Sequence, residues 1–365
     1  MNIQKNPFYF LHVLIQDMLS LAVIHRHRDT SGFSAALSTR IFHNAVLRDF
    51  VSVTCIVCGI STFRPITIIG TIGRVGISTN NAESANYTVR RRDRLLPRHL
   101  KETHDMTISY RASDGTAIGC TPFGSGSPLI LVHGASVDST SWLPVVPALA
   151  NAHRVLSMDR RGRGDSGDHP EYEIEKEFSD LAGLIDSIGE PVDVVGHSFG
   201  AFCALEAALL TRNVRRIVAY EPPLPGALPY WPEALRNEML PLLAVGKNEE
   251  ALCSFLSILM SVAPEDIAQM RTLPAWPRRV ALANTIPREL EALVNVKFDI
   301  SRLRNVTCPT TFLVGGASPQ FQMEIASAYK SALRKAEVRI LEGQGHLAVH
   351  AAPDLVVAEI RRSLA

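Results

Sequence analysis

Val192-Asp-Val-Val-Gly-His-Ser-Phe-Gly200 decides the fold of this chain, together with the run Ala201-Phe-Cys-Ala-Leu-Glu-Ala-Ala-Leu-Leu210 that follows it. The valines lack a regular polar alternation, which predicts a strand buried on both faces. The second run has the composition and length of a helix. Strand, Gly-x-Ser-x-Gly and helix in this order predict a nucleophile elbow, in which Ser198 occupies a strained turn.

The two glycines of this motif have a physical reason. A side chain at Gly196 or Gly200 would crowd the chain where strand and helix meet. The turn raises the Ser198 hydroxyl above the strand ends and points backbone N–H groups toward any anion bound there. Gly-x-Ser-x-Gly alone arises often by chance, and here the flanking strand and helix make it specific.

The composition of the 365-residue chain, 46% hydrophobic and 20% charged, is that of a globular protein. A formal net charge of +1 gives no indication of a nucleic-acid partner. The six cysteines are too sparse for a disulfide framework, which favours a reducing, cytoplasmic location. Cys55 and Cys58 have no second pair and no nearby ligand histidines, so we predict neither a metal nor a cofactor.

Residues 1–105 show no alternation of strand and helix patterns. Their apolar runs at 8–24 and 50–63 are respectively interrupted by polar residues and too short for a confident membrane span. A membrane anchor or targeting segment stays an alternative, although no clean cleavage site follows. We expect an extension without a core of its own, poorly ordered or not part of the native chain, and dispensable if Met106 is the start.

From Met106 onward strand and helix patterns alternate. A hairpin is predicted around Asp114-Gly115, because Asp-Gly suits a tight turn. Further strands are predicted at 129–132, 154–158, 192–195, 216–220, 310–314 and 338–341, and helices at 142–150, 173–188, 320–335 and 353–363. The alternation predicts an α/β fold with a mostly parallel central sheet flanked by helices. Prolines separate helical pieces between 222 and about 300, which predicts a helical cap insertion.

Residues 106–365 resemble the α/β-hydrolase superfamily. The resemblance rests on landmarks that occur in the family's order: His133-Gly134, Asp159-Arg-Arg-Gly-Arg-Gly-Asp-Ser-Gly167, Gly196-His-Ser-Phe-Gly200, the insertion at the cap position, and Gly345-His346. Together they indicate the α/β-hydrolase fold without indicating a substrate. In this family the arginine-rich run at 160–163 is a structural turn, and we expect that role here in preference to phosphate binding.

Ser198 needs a base, because a neutral hydroxyl is a poor nucleophile at neutral pH. The resemblance implies His346, which lies between the last strand and the last helix, where the family's catalytic histidine occurs. His350 is a nearby competitor that fits the pattern less well. His133 and His197 are expected to orient the backbone around the site rather than to transfer protons.

The acid of the triad departs from the commonest family pattern. That acid usually follows the strand that ends at Val314, but the loop Gly315-Gly-Ala-Ser-Pro-Gln320 contains no carboxylate. Either the acid is lost, or it lies at the end of the preceding strand, where Glu221 follows Tyr220. We predict Glu221 as the third catalytic residue, and Asp299 is a weaker rival.

The resemblance also implies an oxyanion hole that is formed by the backbone N–H groups of Ala135 and Phe199. The predicted protein is a serine hydrolase that acts on an ester, lactone or thioester through an acyl-enzyme. Carbon–carbon bond hydrolysis, cofactor-free perhydrolysis and a non-catalytic ligand-binding scaffold are the alternatives. A serine at the elbow argues against dehalogenase and epoxide hydrolase relatives, which use an aspartate there.

The substrate is predicted to be a small and apolar molecule. Apolar side chains could line a pocket beneath the insertion, although such residues are more often core; they are Phe199, Trp231, Met239, Phe255 and Met260.

Overall fold

The computed structural model describes residues 107–365. The predictions made for residues 1–105, including the Cys55–Cys58 pair and the two apolar runs, lie outside the described residues.

An eight-stranded sheet forms the centre of this part of the chain. Its strands are β1 (Ile108–Arg111), β2 (Ala117–Phe123), β3 (Ser127–Val132), β4 (His153–Met158), β5 (Val192–His197), β6 (Val214–Tyr220), β7 (Thr310–Gly315) and β8 (Ala336–Leu341). They are arranged in the order β1-β2-β4-β3-β5-β6-β7-β8. β2 pairs antiparallel with β1 and β4, and every other pairing is parallel. The prediction of a mostly parallel sheet is confirmed.

Helices cover both faces of the sheet and form the insertion. They are α1 (Val146–Leu149), α2 (Ile174–Ile188), α3 (Phe199–Ala207), α4 (Glu233–Ala244), α5 (Asn248–Ser254), α6 (Pro264–Arg271), α7 (Trp276–Ala281), α8 (Ile286–Asn295), α9 (Gln320–Ala332), α10 (Ala348–Ala351) and α11 (Pro353–Leu364). A π-helical turn extends α5 over Phe255–Leu259, and 3₁₀ turns span Ser139–Trp142, Ala283–Thr285 and Ile300–Asn305.

Two of the predicted helices are shorter than expected. Instead of one helix over 142–150, a 3₁₀ turn ends at Trp142 and α1 begins at Val146. Pro144 and Pro147 account for the break, because proline lacks the N–H that a continuous helix needs and is tolerated only in its first turn. Likewise α9 ends at Ala332 rather than at 335, and β8 already begins at Ala336.

The valines of β5 alternate between the two faces of the sheet. Val192 and Val194 pack into the cluster beneath α2, α3 and α9, whereas Val195 packs into the cluster beneath α1 and α11. Both faces of the strand are therefore buried, as the valine-rich run predicts. The carboxyl end of β5, with the Gly-x-Ser-x-Gly turn, is held at the centre of the sheet.

The cap, residues 222–300, has a hydrophobic cluster of its own. The buried side chains include Leu235, Met239 and Phe255, and Ala135 packs against them from the loop after β3. The cap therefore rests on the edge of the sheet at which β3 and β5 end. No helix in residues 107–365 is both long and apolar enough to cross a membrane. Cys120, Cys203, Cys253 and Cys308 are free thiols.

Candidate active site

Ser198 occupies a strained turn between β5 and α3. Its φ is 53° and its ψ is −123°, a conformation that costs a non-glycine residue on the order of 1–3 kcal/mol. The backbone of Ser136 (φ 59°) and Glu221 (φ 45°) is also in the positive-φ region, and both follow strands adjacent to the same place. Strain of this kind clusters at functional sites, since only the surrounding structure can hold it.

Gly196 and Gly200 allow the strand and helix to approach closely. A Cβ atom on Gly196 would lie 2.5 Å from Cα of Ala201, and one on Gly200 would lie 2.3 Å from the carbonyl oxygen of Val132. Backbone atoms cannot move aside, so a side chain at Gly196 would force β5 and α3 apart, and one at Gly200 would push α3 away from the end of β3. The glycines hold Ser198 at the strand ends.

His346 and Glu221 form a hydrogen-bonded pair next to this turn. The Nδ1–H of His346 donates to Oε2 of Glu221 at 2.5 Å. The Glu221 side chain is fully buried, whereas 17% of the His346 side chain is exposed. A histidine whose Nδ1 is occupied in this way presents Nε2 as the nitrogen that can take a proton. His346, and not His350, contacts the carboxylate.

Several groups keep Glu221 ionised. Burial alone would raise the pKa of its carboxyl, but the hydrogen bond and the charge of His346 outweigh it, and the pKa is lowered. The backbone N–H of Gly315 donates to Oε1 at 2.8 Å. The hydroxyl of Ser318, in the loop that lacks a carboxylate, lowers the pKa of Glu221 further. The carboxylate therefore stays negative and can stabilise an imidazolium.

Asp299 is not brought to this pair. It is exposed and caps the 3₁₀ turn at Ile300–Asn305, accepting from the backbone N–H of Ser301 at 2.9 Å and from its hydroxyl at 2.8 Å. These hydrogen bonds lower the pKa of Asp299. Both of its carboxylate oxygens accept from Ser301 and not from His346.

Two side chains hold the loop that carries His346. The Tyr220 hydroxyl donates to the carbonyl oxygen of Gly345 and accepts from the N–H of Ala348 at 3.3 Å. The Nε2–H of His197 donates to the carbonyl oxygen of His346 at 2.9 Å. Burial, followed by the charge of His346, lowers the pKa of His197 and keeps the ring neutral, although the hydrogen bond to the His346 carbonyl acts in the opposite direction. The expectation that His197 orients backbone agrees with these contacts.

Ser198 lies within this group but does not hydrogen bond to His346. The ring of His197, its neighbour, lies 4.6 Å from the ring of His346 between centroids. No hydrogen bond of the Ser198 hydroxyl is present within residues 107–365. Such contacts are often long in unliganded sites and close only when substrate binds.

The loop after β3 passes directly over Ser198. A Cβ on Gly134 would lie 3.1 Å from Cβ of Ser198, which is tighter than most Cβ contacts, so a side chain here would crowd Ser198. The carbonyl oxygen of Gly134 accepts from Nδ1–H of His133 at 2.8 Å and from Nη1 of Arg160 at 3.1 Å. In a trans peptide the N–H points opposite to the carbonyl. The N–H of Ala135 is thereby turned away from Arg160, and within residues 107–365 it has no hydrogen-bond partner.

His133 is neutral and its tautomer is fixed. Its Nε2 accepts from the backbone N–H of Arg160 at 3.1 Å, which leaves Nδ1 as the donor. Burial, with the charge of Arg160 as the next cause, lowers the pKa of His133 to about 3. Its part is to orient backbone, as expected from the sequence.

The arginine-rich turn after β4 is buried and paired. Arg160 forms a two-pronged ion pair with Glu177 of α2, and it also contacts Glu289 of α8 in the cap. Arg161 pairs in the same way with Asp180. These contacts agree with the structural role expected for the turn. They also connect the cap to Gly134 through a single guanidinium.

The predicted pocket residues lie mainly in hydrophobic clusters. Phe199 is in the main core, beneath the guanidinium of Arg160 at 4.2 Å. Met239 and Phe255 are buried in the cap cluster, against which Trp231 and Met260 pack. Their packing role is evident, and a contact with substrate stays a prediction.

The sequence analysis did not identify three supporting contacts. They are those of the Tyr220 hydroxyl, of the Ser318 hydroxyl, and of Arg160 with the Gly134 carbonyl. A tyrosine that ends the apolar run of β6 is a signal that could have been used, because its hydroxyl must find a partner. The other two depend on contacts between distant parts of the chain, which a single sequence does not reveal.

Comparison with known proteins places these features in a family context. The model of the alpha/beta hydrolase family matches residues 129–359. An alpha/beta hydrolase from Sphaerobacter thermophilus has a solved structure with a TM-score of 0.63 and 33% identity, and the match covers 71% of this chain and all of that one. The 2-hydroxy-6-oxo-2,4-heptadienoate hydrolase of Pseudomonas putida is 29% identical over 205 residues, which are 50% of this chain and 70% of that protein.

A shorter similarity links the chain to an epoxide hydrolase. Epoxide hydrolase A of Mycobacterium tuberculosis is 42% identical over 92 residues, which are 23% of this chain and 28% of that enzyme. The match thus spans well under half of either protein.

Proposed function

Because the chain belongs to the alpha/beta hydrolase family, we propose that it is a serine hydrolase that cleaves ester-type small molecules through an acyl-enzyme. The observation that carries the proposal is the buried Glu221–His346 pair beside the strained Ser198 turn. A serine nucleophile, a histidine base and a carboxylate that orients the histidine recur on unrelated folds as a unit for acyl transfer. The relatives named above are hydrolases, which agrees at the coarser level.

Ser198 is the nucleophile in this proposal. Its oxygen bonds to the substrate carbonyl carbon while its proton moves to Nε2 of His346. The resulting imidazolium gives that proton to the departing alkoxide, which leaves as an alcohol. Water then adds to the acyl-serine with His346 again as base. The carboxylic acid is released, and the Ser198 hydroxyl is regenerated.

Glu221 has the role of the acid that fixes His346 and stabilises its positive form. The support is its burial, its lowered pKa and its hydrogen bond to Nδ1. In this assignment the acid directly follows β6 instead of lying in the loop after β7.

The N–H groups of Ala135 and Phe199 are proposed to bind the oxyanion. Phe199 is the first residue of α3, where a backbone N–H has no partner within the helix. The clamp of Arg160 and His133 on the Gly134 carbonyl supports the same role for Ala135. Preorganised donors of this kind are usually the largest single contribution to acyl-transfer catalysis.

Carbon–carbon bond hydrolysis is the second candidate. It is favoured by the similarity to the heptadienoate hydrolase of Pseudomonas putida. The triad would serve equally well, since the same carbonyl addition precedes bond cleavage. The predicted apolar substrate and cytoplasmic location belong to the proposal in either case.

A fluorophosphonate probe tests the proposal directly. Wild-type protein should be labelled rapidly at Ser198, as located by peptide mass spectrometry. Ser198→Ala should abolish labelling and lower kcat for p-nitrophenyl esters by on the order of 10⁶-fold. Retention of most esterase activity in Ser198→Ala would show that the nucleophile is assigned wrongly.

The probe and a panel of substrates together separate the serine hydrolase from the alternative functions. Ester turnover that depends on Ser198 supports the proposal, whereas turnover of a vinylogous diketone alone supports the carbon–carbon hydrolase. Ligand binding without probe labelling supports the non-catalytic scaffold.

A further inference from the structure

Arg278 and Arg279 are adjacent in the cap helix α7, yet their partners differ. Arg278 forms an ion pair with Asp138, with Nε at 2.8 Å from Oδ2. Arg279 instead donates from Nε and Nη2 to the hydroxyl of Ser136, at 3.2 and 3.1 Å. No carboxylate of residues 107–365 lies within 4.0 Å of its guanidinium. One arginine is thus neutralised and its neighbour is not.

Burial destabilises the charged form of Arg279, and no carboxylate of residues 107–365 compensates for it. Part of its side chain is accessible, yet burial lowers the pKa of its guanidinium to about 10. The guanidinium is therefore largely surrounded by protein, although part of the Arg279 side chain stays accessible. A largely buried cation without a counter-ion is unfavourable, so an anion that reaches this guanidinium would be bound strongly.

The Arg279 guanidinium lies near the candidate active site. Ser136, which holds the guanidinium, is two residues after Gly134, and Gly134 lies against Ser198. After burial, the charge of Arg279 is the cause that lowers the pKa of His350, and it contributes in the same direction at His197. The guanidinium is therefore within electrostatic range of the residue that precedes the nucleophile.

The two hydrogen bonds to Ser136 occupy one edge of the guanidinium. Among residues 107–365, the only hydrogen-bond acceptor of Nη1 is the thioether sulfur of Met270, at 3.7 Å, and this sulfur is a weak acceptor. The Nη1–Nη2 edge therefore has donors available. A carboxylate matches such an edge with two parallel hydrogen bonds.

We propose that Arg279 binds a free carboxylate of the substrate, so that the hydrolase acts on monoanionic acids that carry the cleavable ester-type bond elsewhere in the molecule. This inference rests on the proposed function for the position of that bond. It changes the predicted apolar substrate into one that has an apolar chain and a charged end.

A purely structural role of Arg279 makes a different prediction. If the guanidinium only ties α7 to Ser136, its loss would slow charged and neutral substrates equally. The ratio of kcat/KM between a carboxylate substrate and its neutral counterpart is therefore the decisive quantity.

The experiment compares monoethyl esters of succinate, glutarate and adipate with the corresponding diethyl esters, by pH-stat titration. In wild type the best monoester should exceed its diester at least about 10-fold in kcat/KM. Arg279→Gln should lower that ratio by on the order of 10- to 100-fold, the worth of a charged hydrogen-bonded pair. Arg278→Gln is the matched control and should keep the ratio of the wild type. Equal ratios in wild type and Arg279→Gln, or a preference for diesters throughout, overturn the inference.

A binding measurement separates this inference from the proposed function. In Ser198→Ala, isothermal titration with the same monoesters should detect binding that is lost in Ser198→Ala/Arg279→Gln. Binding that depends on Arg279 supports the carboxylate site even if no ester is hydrolysed. Ester hydrolysis through Ser198 without such binding keeps the proposed function and rejects the carboxylate site.

Discussion

On the sheet side of the candidate site, Ser198 and Glu221 follow adjacent strands whose register pairs His197 with Tyr220. On the cap side, the contacts come from side chains: Arg160 reaches Glu289 of α8, and Arg279 reaches Ser136. Backbone ladders position the first set of groups, and long flexible side chains position the second.

The sheet therefore positions the candidate catalytic residues, whereas the cap contacts surround them. Positions that are fixed by a sheet tolerate little displacement, because the register of each strand is set by hydrogen bonds to its neighbours. Positions that are fixed by side chains can be altered one contact at a time. Substitutions on the sheet side should therefore cost most, and those at the junction with the cap should cost less.

The largest expected loss among the supporting groups is on the sheet side, in Glu221→Gln. The amide keeps the shape but cannot stabilise the imidazolium of His346. By analogy with other triad acids, kcat should fall by roughly 10⁴-fold with little change in KM. Steady-state kinetics on an activated ester measures both quantities.

Asp299→Asn is the control for that substitution. Asp299 caps a 3₁₀ turn at the far end of the cap, so its loss should leave kcat within a few-fold of the wild type. An equal or larger effect of Asp299→Asn would contradict the assignment of the acid.

A smaller effect is expected at the junction of the two sides, in Arg160→Lys. Lysine keeps the charge but cannot hold Glu177 and the Gly134 carbonyl together. The N–H of Ala135 would be less well aimed, and we expect kcat to fall on the order of 10- to 100-fold, less than the loss of a whole oxyanion donor. KM should change much less, as measured on the same ester.

Arg161→Lys provides the matched comparison. Arg161 is equally buried and pairs with Asp180, but it does not contact Gly134. Circular dichroism should show both variants folded. Equal losses of kcat in the two would assign the effect to general packing instead of to the oxyanion loop.

The smallest effect concerns stability, and it arises from His133. The unfolded chain takes up a proton on this histidine below pH 6.5, whereas the folded protein does not until about pH 3. The free energy of unfolding should therefore fall as the pH drops from 6.5 toward 3. At pH 5 the loss is on the order of 2 kcal/mol.

His133→Asn should remove this contribution, since its amide can still donate to the Gly134 carbonyl but does not titrate. Urea unfolding at pH 7 and pH 5 should show a smaller decrease in the variant than in the wild type. The same decrease in both would mean that His133 is not the source. His197, whose pKa is also lowered, contributes in the same direction in both proteins.

The sheet side could be predicted from the sequence because its signals are local. The valine-rich strand runs directly into the Gly196–Gly200 motif, and Glu221 directly follows the apolar run of β6. Even the departure at Gly315–Gln320 was readable, since the absence of a carboxylate requires no structure. The mostly parallel character of the sheet followed from the alternation of strand and helix patterns, whereas the order of its strands was not predicted.

The cap side could not be predicted in the same way. Its helices are short and interrupted by proline, so their periodicity does not indicate which face meets the core. The contact between Arg279 and Ser136 spans 143 residues, and the one between Arg160 and Glu289 spans 129. Contacts at that separation depend on how the cap is placed, which a local pattern does not encode.

The location of the candidate acid directly after β6 determines which parts of this protein can vary. Ser198 and Glu221 follow paired residues on adjacent strands, so insertions in the cap or after β7 can reshape the entrance without lengthening the distance between them. A shift of β6 by one residue, by contrast, would turn Glu221 to the opposite face. Libraries for new substrates therefore belong in residues 222–300 outside Arg279 and Glu289, and in the loop after Gly315 outside Ser318, whose hydroxyl supports Glu221.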